Sequence, residues 1–193
     1  MVSAPTPEDD ERAAQAGLTS RRDLFQLRRP LPVDDATRAG MPAIATRPFR
    51  PGVDEEAWLE VNNRSFAAHP DQSSQTRADL EAQEREAWFD PAGFLVLDAD
   101  PDGPRAGHLD GFCWTKVHAG TDPPLGEIFV IGVDPAAHGR GLGGALTVAG
   151  LDHLAGLGLT VAMLYVDESN TSARKMYARL GFTEHHRDRV YTP

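Results

Sequence analysis

Residues 126–155 read GEIFVIGVDPAAHGRGLGGALTVAGLDHLA, and this stretch decides the fold. An apolar, β-branched run from Ile128 to Val133 comes first and reads as a strand. Asp134 and Pro135 end it. Four glycines follow within six residues (Gly139, Gly141, Gly143 and Gly144), and an apolar helix begins near Leu142. Strand, glycine turn and helix make a physical recipe for holding phosphate. The first amides of a helix have no internal partners, the helix dipole adds partial positive charge there, and pyrophosphate is a natural guest. Glycine removes the Cβ atoms that would keep a ligand from the backbone. Three other readings of the turn are weaker. A Walker A loop needs Gly-Lys-Ser/Thr, which is missing. Gly139, Gly141 and Gly144 match a dinucleotide fingerprint, but the turn lies near the chain end with one further strand–helix unit rather than among repeated βαβ units. A ligand-free turn would spend the backbone entropy of four glycines for nothing.

Working outward, the 193 residues suffice for one domain of ordinary size plus extensions, and 40% hydrophobic content can build a core. The formal net charge of −10 argues against nucleic acid or an anionic membrane as partners. It does not argue against an anionic small molecule at a helix terminus. The lone cysteine, Cys113, sits in an apolar strand and reads as a buried structural thiol. No run of about 20 apolar residues exists to span a membrane. The acidic N-terminus has no apolar segment of a secretion signal, so a cytoplasmic location is expected. His69, His118 and His138 have no metal-ligand spacing, and no metal is expected.

Residues 1–12 are polar, acidic and proline-containing, and are expected to be a disordered tail. Residues 13–33 read as a helix end, a glycine stop and a strand from Asp23 to Arg29, and 34–42 as linker. Further strands are expected over Ala43–Phe49, Gly93–Leu97, Leu109–His118 and Leu159–Val166, with a polar hairpin over Phe182–Tyr191. Helices are expected after Pro51-Gly52 with Asp54 as N-cap, over Thr76–Glu86, from Leu142 to about Gly156, and over Asn170–Leu180. This order implies an α/β fold with a mixed, twisted sheet flanked by helices.

The segment His138-Gly-Arg-Gly141-Leu-Gly143 resembles the acetyl-CoA loop of the GNAT acetyltransferase superfamily, with His138 where glutamine or arginine is usual. A second hallmark follows in order: Asn170, Ala173, Tyr177, Gly181 and Phe182. The resemblance implies the GNAT acyl-CoA N-acyltransferase fold over residues 43–193 and acetyl-CoA as co-substrate. It implies that backbone groups of Ile131, Gly132 and Val133 pair with pantetheine. His138, Gly139, Arg140, Gly141, Leu142, Gly143 and Gly144 would hold pyrophosphate. Asn170, Thr171, Ser172, Ala173, Arg174 and Lys175 would face the cofactor from the next helix start. Glu127, at the mouth of the apolar strand, is the expected general base, since a protonated amine cannot attack a thioester. Tyr177, two turns beyond Asn170, is the expected donor to the leaving thiolate; its alternative is a packing aromatic.

Four further blocks, VNNRSFAAHPDQ, EAWFDPAG, GFCWTKVH and LGEIFVIGVDPAA, are similar to the C-terminal half of the mycothiol synthase family. That resemblance implies acetylation of the cysteinyl amine of cysteinyl-glucosaminyl-inositol, with Asp71, Lys116, Glu127 and Tyr165 contacting this small molecule. Asp71 stands where glutamate is expected. The alternatives are another small amine or a protein N-terminus as substrate, or a non-catalytic acetyl-CoA-binding module. The family is a tandem of two such domains, so residues 13–42 are expected to be a remnant of the first domain plus linker. The chain would then be a fragment, the product of a misassigned start site, or a shortened relative. Leu24, Phe25 and Leu27 of an orphaned strand would be exposed and promote weak association of an otherwise monomeric protein.

Overall fold

In the computed structural model, residues 2–67 and 74–193 are described. The elements in chain order are β1 (Val2–Ser3), α1 (Pro7–Gln15), β2 (Thr19–Pro30), α2 (Asp35–Arg38), β3 (Arg47–Pro48), α3 (Glu55–Ser65), α4 (Arg77–Glu84), β4 (Phe94–Asp98), β5 (Leu109–His118), β6 (Leu125–Val133), α5 (Leu142–Gly156), β7 (Val161–Asp167), α6 (Thr171–Arg179) and β8 (Thr183–Thr192). The eight strands form one mixed sheet in the order β1-β8-β2-β7-β6-β5-β4-β3. Among the described residues its one parallel pair is β6 with β7, because α5 connects them as a crossover.

Each face of the sheet carries its own core. On one side Leu146, Leu151 and Leu154 of α5 and Tyr177 of α6 pack with Phe25, Cys113, Ile128 and Leu164. On the other, Trp58 of α3 and Leu80 of α4 cover Phe94, Phe112 and Trp114. The Phe94 and Trp114 rings stack at 4.2 Å with Trp58 edge-on to both. A bulge interrupts β6: Thr115 pairs with Ile128 and Trp114 with Val130, leaving Phe129 as the extra residue. The bulge reverses side-chain parity. Ile128 faces α5 before it, whereas Ile131 and Val133 do so after it, and Val130 joins the α3 side. Cys113 is fully buried and burial pushes its thiol up to about 12, as a structural role requires.

The structure departs from the sequence reading in several places. The segment expected to be a disordered tail contains β1 and the first part of α1. Thr6 and Asp9 form a capping box, and Arg189 clamps Asp10 with both contacts at 2.8 Å while holding Asp23 at 2.7 Å. These local and long-range bonds offset the ordering entropy that the composition alone suggested would win. The supposedly orphaned strand is β2, and it lies between β7 and β8, antiparallel to both. Phe25 and Leu27 are buried in the main core, which removes the reason given for self-association. Residues 182–191 make no hairpin; β8 is a single strand because β2 already supplies its partner. The strand expected over 43–49 shrinks to Arg47–Pro48. Asp54 stands at the α3 N-cap but makes no side-chain cap bond; its carboxylate is taken by Arg47 and Arg50 at 2.6 and 2.7 Å.

Candidate active site

The sheet divides between β6 and β7. Their ladder runs through Leu125↔Val161, Gly126↔Ala162 and Glu127↔Met163, then stops. Beyond it β6 stays with β5 as far as Val133, while β7 stays with β2 as far as Asp167. The two arms diverge, and a cleft of about 470 Å³ opens between Ile128–Val133 and Tyr165–Asp167. Among the described residues, 128–133 have no strand partner on that side, so backbone groups from Ile128 to Gly132 are available to an extended ligand, whereas the Val133 carbonyl already accepts the Ser65 hydroxyl at 2.9 Å and lies 3.0 Å from His138 Nε2. The cleft crosses the sheet: Ser65 and Phe66 line it from the α3 side, Met176 and Tyr177 from the α6 side.

At the far end lies a second hollow of about 560 Å³, floored by Gly139, Gly141, Gly143 and Gly144 and sharing His138 and Ser172 with the cleft. Gly139 and Gly141 have φ of 79° and 75°, conformations that side-chain-bearing residues rarely adopt. Gly141 is the N-cap of α5 and supplies no side-chain cap, which leaves the first amides of a 15-residue helix available to an anion. Met41 and Pro42, from the segment read as linker, line this hollow as well. Asp134 fixes the turn leading into the loop. Burial would raise its carboxyl, but the Ala136 amide and the Arg64 and Arg105 guanidiniums hold it below its ordinary value. Arg140 is turned away: its guanidinium bonds Asp110 at 2.6 Å, and it lines neither the cleft nor the glycine hollow.

Glu127 is the last paired residue of β6 on the β7 side, at the apex of the fork. It is buried, opposite Lys116, and its Oε2 lies 2.7 Å from His118 Nε2. Tyr177 enters from α6. Burial raises its phenol well above the ordinary value, so it carries its proton at neutral pH. Tyr165 stands on the opposite arm, partly exposed, and its hydroxyl accepts a 2.7 Å hydrogen bond from Gln26 Nε2.

The structure therefore gathers Ile131, Gly132, Val133, His138, Gly143, Asn170, Ser172, Ala173, Tyr165 and Tyr177 on one cleft; Glu127 stands at the apex of the fork, one residue before the first β6 residue that lines the cleft. The Asn170 side chain is spent on capping α6 through the Ala173 amide. Thr171, Arg174 and Lys175 do not line it; Arg174 packs over the Phe25 ring instead. Lys116 lies off the cleft lining, its ammonium 4.1 Å above the Trp88 ring. Asp71 lies outside the described residues. The sequence reading missed the contribution of β2, whose Arg22 and Leu24 line the cleft and whose Gln26 holds Tyr165. The strand itself was expected over Asp23–Arg29, but no local signal says which sheet position a strand takes.

The arrangement suits a linear ligand with an anionic end on the α5 amides and a reactive end near a carboxylate and a protonated phenol. The comparisons with known proteins agree. The chain is 50% identical over 182 residues to the mycothiol acetyltransferase of Thermobispora bispora, covering 93% of this chain and 60% of that one. It is 49% identical to the mycothiol acetyltransferase of Pseudarthrobacter chlorophenolicus over 94% of this chain and 55% of that one. It thus spans somewhat over half the length of these relatives. A GCN5-related N-acetyltransferase structure from Sphaerobacter thermophilus superposes with a TM-score of 0.74 at 26% identity, covering 98% of this chain and 57% of that one. The model of the acetyltransferase (GNAT) family matches residues 55–182, and with the forked sheet and glycine cradle in place the chain belongs to that family.

Proposed function

We propose that this chain transfers an acetyl group from acetyl-CoA to the cysteinyl amine of cysteinyl-glucosaminyl-inositol, as a mycothiol synthase does. The observation that carries acetyl transfer is the forked sheet, with a buried glutamate at its apex and bare helix amides at its mouth. Near 50% identity to mycothiol acetyltransferases over most of the chain supports the substrate class. On this reading residues 13–42 correspond in sequence to the end of a preceding domain and its linker, with β2 completing the sheet of the catalytic domain that spans 43–193.

Acetyl-CoA supplies the activated thioester. The amides of residues 139–144 hold its pyrophosphate, and the backbone of Ile131–Val133 aligns the pantetheine as an added strand would. Glu127 takes the proton of the attacking amine, directly or through water, and Tyr177 delivers its hydroxyl proton to the departing sulfur. Tyr165, Lys116 and Asp71 contact the amine substrate through its hydroxyls and amine.

The test measures acetyl-CoA binding beside turnover on the cysteinyl sugar, for the wild type and Glu127→Gln. The expected result is binding by both proteins and a turnover loss of about 10²–10⁴-fold in the variant. A loss below about tenfold would remove Glu127 from the role of base. Turnover on other amines alone would replace the substrate, and binding without turnover on any amine would leave a binding module.

A further inference from the structure

The carboxylate of Glu127 has two oxygens, and only one can receive the amine proton at a time. Its Oε2 is held by the Nε2 of His118, nine residues earlier and on the neighbouring strand β5. His118 and Lys116 project from β5 on the same side, with Lys116 directly opposite Glu127. The Lys116 ammonium, however, is drawn over the Trp88 and Phe129 rings at 4.1 and 5.3 Å. Among the described residues, His118 is thus the side chain hydrogen-bonded to the Glu127 carboxylate. Its own carbonyl accepts the Thr121 hydroxyl at 2.9 Å, which ties the end of β5 to the following loop.

We propose that His118 is a positioning residue for the Glu127 carboxylate: its Nε2–H donates to Oε2 and leaves Oε1 as the atom that accepts the amine proton. A carboxylate on a flexible side chain samples many rotamers, and a hydrogen bond to one oxygen narrows that set. The charge-assisted bond at 2.7 Å does so before substrate arrives. In the step itself, the N–H bond of the amine breaks and an O–H bond forms at Oε1, while the His118 proton stays on Nε2. His118 acts through Glu127 and need not touch the substrate. This inference rests on the proposed acetyl transfer.

The experiment compares His118→Ala, His118→Gln and their combinations with Glu127→Gln, using acetyl-CoA and the cysteinyl sugar, with unfolding midpoints as a check on folding. His118→Ala should lower kcat by roughly 10–100-fold with KM for acetyl-CoA little changed. His118→Gln, whose side-chain amide is also a donor, should recover most of that loss. In the Glu127→Gln background, His118→Ala should change the rate by less than about twofold, because the positioned group is already gone. Full turnover in His118→Ala, or the same loss in both backgrounds, overturns the proposal. If the wild type acetylates no amine, the functional reading fails, and ¹⁵N NMR of His118 in the free protein still decides the positioning. A proton on Nε2 with the hydrogen bond to Glu127 supports it, and a proton on Nδ1 overturns it.

Discussion

Gly150→Ala sets two opposing effects against each other, and the structure predicts which is larger. Gly150 lies in α5 where the helix meets the sheet. A Cβ there would stand 2.5 Å from Cys113 Sγ, 2.8 Å from Ile128 Cδ1 and 3.3 Å from Thr115 Cγ2. Cys113 is fully buried on β5 and Ile128 is buried on β6, so neither can yield into solvent. Relief requires α5 to lift by roughly 1 Å, the gap between these distances and ordinary contact. Such overpacking costs about 1–3 kcal/mol, and the rigid neighbours put it near the upper end. Alanine regains about 0.8–1 kcal/mol of helix propensity over glycine. The net expectation is a loss of about 2 kcal/mol, a fall in the urea midpoint of roughly 1 M at an m-value near 2 kcal/mol/M. Gly156→Ala, at the end of the same helix with nothing within 4 Å, isolates the propensity term and should not destabilise. Acetyl-CoA affinity should fall in Gly150→Ala, because lifting α5 displaces its N-terminal amides. A midpoint at or above wild type would refute the claim that close packing, rather than helix propensity, sets this residue.

Three further outcomes are expected. Tyr177→Phe should lower turnover by roughly 10²-fold while leaving acetyl-CoA affinity nearly unchanged; the reverse pattern in a binding assay would make Tyr177 a packing residue. Gln26→Leu removes the bond to Tyr165 and should raise KM for the amine substrate about 2–10-fold, with acetyl-CoA binding as the unaffected control. Asp54 is buried, which alone would raise its carboxyl, but Arg50 and Arg47 hold it well below the carboxylate range. Its stabilisation is therefore complete above the unfolded value of about 3.9 and fades as pH falls below it. Thermal unfolding of Asp54→Asn should show a deficit of about 2 kcal/mol at pH 7 that narrows toward pH 2; a deficit independent of pH would sink the ion-pair account.

Much of the site was legible because its devices are local. Gly139 and Gly141 adopt positive φ that few other residues tolerate, and the apolar run before them has to be a buried strand. Asn170 caps the next helix, which places Tyr177 two turns along it. These depend on the residue and its near neighbours, so a linear reading finds them. The tail was misread for the converse reason: Thr6 and Asp9 form a legible capping box, but Asp10 is anchored by Arg189 and Tyr191 from the other end of the chain.

The sequence by itself determined the glycine cradle, the order of strands and helices from α3 to α6, and the identity of the acid–base candidates. Tertiary structure alone decided that β6 and β7 part after Glu127, that β2 enters between β7 and β8, and that the Phe129 bulge turns Ile131 and Val133 toward α5. It also decided that His118 reaches Glu127 and that Arg140 points to Asp110. The physical reason is that strand neighbours and side-chain partners are chosen by burial and hydrogen-bond satisfaction over the whole sheet. Such choices join residues far apart in the chain, and no local pattern records them.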